Sequence, residues 1–119
     1  CLSYTKLYET MFHLRGGSRT YVAYIRGCRC TSHKQLHAEF SAALQFPAYY
    51  GENPNALAEC LEDMEWLNAD KIYIVIDQAE HFLQFDQTED NVYSRILEHA
   101  IEYWKEENQI LHVLLNLSA

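Results

Sequence analysis

Residues 71–77 read KIYIVID, a near-continuous apolar run of strand length. It lacks the polar–apolar alternation of a strand with one wet side, and predicts a parallel strand covered on both faces. Helical patterns flank it. Upstream, Ser32 followed by Gln35 fits a capping box, and Leu36, Phe40, Ala43 and Leu44 then repeat at helical spacing until Pro47. Downstream, residues 79–86 predict a short helix. Thr88, Asp90 and Asn91 are cap candidates for a longer one, whose apolar stripe is Val92, Ile96, Leu97, Ala100 and Trp104 and whose stop is Asn108. Two more strand patterns complete the set: residues 20–26, TYVAYIR, and residues 110–117, ILHVLLNL. Three strands separated by helices give an α/β fold with a parallel sheet built through right-handed crossovers. No strand-to-helix turn is rich in glycine, so neither a dinucleotide site nor a P-loop is supported.

At 119 residues the chain suits one domain with a single core. No run approaches the roughly 18 apolar residues of a membrane-spanning helix, and no signal-peptide pattern opens the sequence. The expectation is a soluble cytoplasmic protein, monomeric when free, with no membrane partner. Residues 1–19 read as an extension, helical over 2–15 with Leu7, Met11 and Leu14 on one side and Gly16-Gly17 as a boundary; residues 20–119 read as the domain.

Four cysteines, Cys1, Cys28, Cys30 and Cys60, are few for a disulfide scaffold and predict reduced thiols. Cys28 and Cys30, at the end of a strand-like run, should share one face; without a second pair they read as small semi-buried residues rather than zinc ligands. His33 and His37 stand four apart on a helix, a spacing that suits a metal, yet no third ligand is placed and they read as surface histidines. No cofactor is expected. An enzyme using His33, His37, Asp77 and Glu80 lacks a nucleophile–base pair or a closed ligand set.

The net charge of −8 is unevenly spread. Residues 1–51 carry +4, residues 52–90 carry −10 and residues 91–119 carry −2. Such a concentration either keeps the protein soluble or meets a cationic partner. Nucleic acid is not that partner, because phosphate binding needs a basic stripe.

The acidic middle begins at residues 47–61, PAYYGENPNALAECL. Asn53 is a good N-cap, and Pro54 fits the first turn, where an amide has no partner to lose. Ala56, Leu57, Cys60, Leu61 and Met64 fall on one side of the helical period. An advance of about 100° per residue puts Asn55, Ala58, Glu59 and Glu62 on the other side, with Asp63 at its margin. Before the helix, Gly51 permits a tight bend and Tyr49 and Tyr50 stand beside the carboxylates, a composition that suits an interface anchor, although one tyrosine can pack inward.

The run Pro47, Tyr49-Tyr50-Gly51-Glu52-Asn53, Ala56-Leu57 and Cys60-Leu61 closely resembles the barstar family, intracellular inhibitors of secreted bacterial ribonucleases. The resemblance covers most of residues 20–118. It implies a small three-stranded parallel sheet packed with helices, no catalysis, and a helix and preceding loop that plug a ribonuclease active site, a carboxylate standing in for substrate phosphate. On that pattern Tyr49 matches the contact tyrosine, Asn53 the loop asparagine and Glu59 the key acid. A family glutamate on the last helix corresponds to Glu102. Three positions depart: Asn55 stands where the family has aspartate, Ala58 where it has tryptophan, and Glu59 is one methylene longer than the family's aspartate. The resemblance implies a basic ribonuclease or related toxin as partner; together with the exposed stripe read from helical phase, which adds Glu62, it gives Tyr49, Asn53, Asn55, Ala58, Glu59, Glu62 and Glu102 as the binding set. A binding adaptor of the same fold with a non-nuclease partner is the alternative.

Overall fold

The computed structural model of the chain describes residues 19–117. Three strands pair in parallel in the order β1 (Thr20–Arg26), β2 (Lys71–Asp77) and β3 (Ile110–Asn116). Between β1 and β2 lie α1 (His33–Leu44) and α2 (Pro54–Asp63); between β2 and β3 lie α3 (Ala79–Thr88) and α4 (Val92–Glu106). The α/β class read from the sequence is the class observed. The extension helix over residues 2–15 and the Gly16-Gly17 boundary lie outside the described residues. Among the described residues, no helix is long and apolar enough to cross a membrane.

Register arranges the strand side chains in rows. Tyr21, Ile72 and Leu111 form one row, Ala23, Ile74 and Val113 the next, and Ile25, Ile76 and Leu115 the third. From these rows Ala23, Ile25, Ile72, Ile74, Ile76 and Leu111 join one core cluster with Leu36 and Phe40 of α1, Leu57 and Leu61 of α2, Phe82 of α3 and Leu97 and Trp104 of α4. On the opposite face the rows are Val22–Tyr73–His112 and Tyr24–Val75–Leu114, and all six lie outside that cluster. Among the described residues the helices of the core cluster therefore lie on one face of the sheet; on the other face of β2 Val75 is nevertheless buried, with Tyr24 and Leu114 half-buried in the same row. The reason the helices share a face is topological: two right-handed crossovers that step in the same direction deliver all four helices to one side. An apolar run in one strand cannot encode that order.

Each helix end has a physical cause. The Ser32 hydroxyl accepts from the Gln35 amide at 3.2 Å and starts α1, but Gln35 does not complete a capping box, since its side-chain oxygen accepts from the Thr31 hydroxyl at 2.8 Å. Two tryptophan indoles close the other ends of α1 and α2. Trp66 donates to the Leu44 carbonyl and Trp104 to the Leu61 carbonyl, each at 2.8 Å, supplying donors that last-turn carbonyls lack within a helix. Helix α4 begins at Asn91, which makes no side-chain cap; none of Thr88, Asp90 and Asn91 caps it. Its cap is Asp86, from the last turn of α3, whose carboxylate accepts from the amides of Tyr93 at 2.8 Å and Ser94 at 3.1 Å.

Two further expectations are corrected. Cys28 and Cys30 do not share a face. The chain leaves the strand at Arg26 for a short 3₁₀ turn, Gly27–Arg29, so Cys28 is exposed and Cys30 buried, and burial pushes the Cys30 thiol up to about 12. His37 is not a surface histidine. It sits on the inward side of α1 with Leu36, Phe40 and Leu44, fully buried, while His33 stays exposed.

Candidate protein-binding site

The loop between α1 and α2 separates its two tyrosines by role. Tyr49 is 82% exposed, the most exposed large apolar side chain described. Tyr50 turns inward, its ring 4.8 Å from Phe46 and its hydroxyl 2.5 Å from His37 Nδ1. Burial pushes the Tyr50 phenol above its usual range, so it is held as a neutral hydroxyl. The bend is not made by a left-handed glycine. Glu52 carries the positive φ, 50°, while Gly51 serves by its lack of a Cβ, which would stand 3.1 Å from Asn53 Nδ2. Glu52→Gly should therefore raise stability by up to about 1 kcal/mol, read as a higher urea midpoint, because it removes a left-handed penalty.

Asn53 spends both polar ends within the chain. Its Oδ1 accepts from the Ala56 amide at 2.9 Å, starting α2, and its Nδ2 donates to the Gly51 carbonyl at 3.2 Å. Leu57, Cys60 and Leu61 are buried, which turns Asn55 and Glu59 to solvent and leaves Ala58 and Glu62 half-buried beside them.

The packing of α2 against α4, fixed by the Trp104 bond to Leu61, opens a concavity of about 680 Å³ lined by Glu59, Glu62, Asp63, Glu65, Tyr103, Glu107 and Gln109. Its lining holds five carboxylates and no cation. None of the five takes part in an ion pair among the described residues. The field over this shallow, open concavity is negative, since five carboxylates converge on it without a cation in the lining.

Of the residues singled out from the sequence, Glu59 and Glu62 line this concavity. Tyr49, Asn53, Asn55 and Ala58 stand outside its lining, toward the start of α2 and the loop before it. Glu102 is exposed on α4 but outside the lining; the α4 side chain that enters is its neighbour Tyr103, with Glu107 just past the helix end. Asp63 was read at the margin of the acidic stripe, while Glu65, Tyr103 and Glu107 were not singled out. The count of acids over residues 52–90 included Glu65, whereas Tyr103 and Glu107 reach the site through the packing of α4 on α2, for which the sequence has no local signal.

An exposed aromatic on a loop, an acidic helix face and a helix-lined parallel sheet occur here in one chain order. The family model for Barstar (barnase inhibitor) matches residues 20–116, most of the chain. The chain belongs to the Barstar family. Comparison with curated proteins gives no match. At family level membership supports a barnase-inhibitor-like role, inhibition rather than catalysis, and a ribonuclease as the kind of partner. The three parallel strands and four helices fit that family's fold, and the acidic concavity lies at the end of the helix that the Barstar resemblance marks as the binding element.

Proposed function

We propose that this Barstar-family chain inhibits a basic ribonuclease or related toxin by occlusion, acting as an immunity protein in the cytoplasm of the cell that makes the toxin. Tyr49 and α2 lie across the active site, and carboxylates led by Glu59 and Glu62 occupy the positions of substrate phosphates among the enzyme's basic groups. The observation that carries this reading is the cation-free concavity of five carboxylates at the end of α2, the helix that the exposed Tyr49 loop leads into. Negative charges focused on one face raise the encounter rate with a basic partner and make it sensitive to salt.

The test is inhibition of a nuclease encoded beside this chain, measured with and without added salt. Glu59→Ala should weaken the complex by about fivefold or more, the range of an interface residue whose truncation costs over about 1 kcal/mol. Association of the unmodified protein should slow as ionic strength rises. An unchanged affinity for Glu59→Ala would remove Glu59 from the site.

A second reading is favoured by Asn55 and Ala58, where a carboxylate and a large aromatic of the family pattern are absent. In it the chain keeps the fold and the acidic face but binds a non-nuclease protein. A stable complex without loss of nuclease activity selects it.

A further inference from the structure

Beneath the Tyr49 loop runs a chain of polar contacts that the proposed binding surface does not use. Glu89, just past α3, places Oε1 at 2.9 Å from His33 Nε2. His33 Nδ1 lies 2.6 Å from the Tyr93 hydroxyl, that hydroxyl lies 3.1 Å from His37 Nε2, and His37 Nδ1 lies 2.5 Å from the Tyr50 hydroxyl. His37 and Tyr93 are fully buried, whereas the His33 side chain is 50% exposed. The chain thus leads from solvent, through the core edge, to the residue next to Tyr49.

Donor and acceptor capacity orders its protons. A carboxylate only accepts, so Glu89 takes the N–H of His33 Nε2. In a neutral imidazole the other nitrogen then offers a lone pair, and the Tyr93 hydroxyl donates to it. Having given its one hydrogen, Tyr93 accepts from His37 Nε2–H. His37 Nδ1 is left as an acceptor, and Tyr50 donates to it. Every polar atom has one partner of the right kind, which a buried network requires.

We propose that this proton-ordered chain, Glu89–His33–Tyr93–His37–Tyr50, positions the recognition loop: each hydrogen bond fixes the tautomer or hydroxyl direction of the next group, and the last holds the Tyr50 hydroxyl, beside Tyr49, on His37 Nδ1. The titratable groups around the chain are Glu89 on His33, Glu52 near His37, Asp86 and Glu89 near Tyr93, and Cys60 and Glu52 near Tyr50. Burial, and then the neighbouring His33, hold the His37 pKa below the usual histidine range, which keeps His37 neutral, as the proton order requires. The effect on partner binding rests on the function proposed above; the proton order does not.

Long-range ¹H–¹⁵N correlation spectra of the free, uniformly ¹⁵N-labelled protein report which nitrogen of each imidazole is protonated. At pH 8 both should carry the proton on Nε2. Tyr93→Phe removes one oxygen from the middle of the chain, so both imidazoles lose a partner: each should show a mixture of tautomers at the same pH, and amide exchange over residues 47–53 should quicken. Glu89→Ala, at the solvent end, should release the His33 tautomer in the same way and covers the case in which Tyr93→Phe does not fold. A His37 found with its proton on Nδ1 at pH 8, or tautomers and loop exchange unchanged in both variants, overturns the proposal. No partner is present in these spectra, so their outcome is separate from that of the inhibition assay.

Discussion

Gly27→Ala should cost about 3 kcal/mol of folding stability, the upper part of the range for forced overpacking. Gly27 is buried where β1 leaves the sheet, one residue after the Arg26–Asp77 pair that ends the β1–β2 ladder. A Cβ there would stand 2.4 Å from the Asp77 carbonyl oxygen, 2.4 Å from the Gln78 carbonyl oxygen and 2.9 Å from the Gln78 carbonyl carbon. All three are backbone atoms at the exit of the neighbouring strand, so no side chain can rotate away to make room. Gln78 already holds φ at 48° to turn the chain into α3, which leaves it little freedom to move. Gly51→Ala is the matched control. Its nearest contact is 3.1 Å and belongs to the Asn53 side chain, so it should cost under about 1 kcal/mol. Urea midpoints with unchanged slopes measure both. A Gly27→Ala protein within about 0.5 kcal/mol of the parent would show that the strand exits yield readily, contrary to close packing at that point.

Gly27 also marks where reading the sequence stops. The strands were legible because branched and aromatic residues cluster at residues 20–26, 71–77 and 110–116, and the start of α2 was legible because Asn53 and Pro54 are each suited to one position of a helix terminus. Those signals are local. What such signals miss is the side-chain contact whose partner is distant in the chain. Gly27 meets residues 50 positions away, so nothing near it announces the contact. His37 shares the helical phase of Leu36, Phe40 and Leu44 and could have been placed inward, but a buried imidazole is expected only once its partners are known, and Tyr50 and Tyr93 lie 13 and 56 residues away. The same holds for the acidic concavity. Glu59 and Glu62 followed from the phase of one helix, whereas Tyr103 and Glu107 joined them only through the packing of two.

Asp86→Ala should cost about 3–5 kcal/mol, the range for removing one member of a buried charged network. The Asp86 side chain is fully buried and lies seven residues before the first amide it serves. Its Oδ1 accepts from the Tyr93 amide, and its Oδ2 from the Ser94 amide and, through a very short bond, from the Ser94 hydroxyl. Its charge also faces the N-terminus of α4, where the unpaired amides favour an anion. Alanine leaves two amides and one hydroxyl without an acceptor, each worth about 1–3 kcal/mol when buried. Asparagine should fall between the two: it keeps one oxygen, but its NH₂ then confronts a donor. Ser94→Ala removes one of the three bonds and should cost about 1 kcal/mol. The order parent, Ser94→Ala, Asp86→Asn, Asp86→Ala in urea midpoints tests the assignment. If the losses instead matched those of an exposed cap, about 0.5–2 kcal/mol, water would be replacing the carboxylate and the junction would be wet. The consequence reaches the proposed binding face, because α4 carries Tyr103 and is joined to α2 by Trp104. An Asp86 variant that still folds should therefore bind the partner less tightly than Glu59 alone explains, with Tyr103 and Glu107 no longer held opposite Glu59 and Glu62.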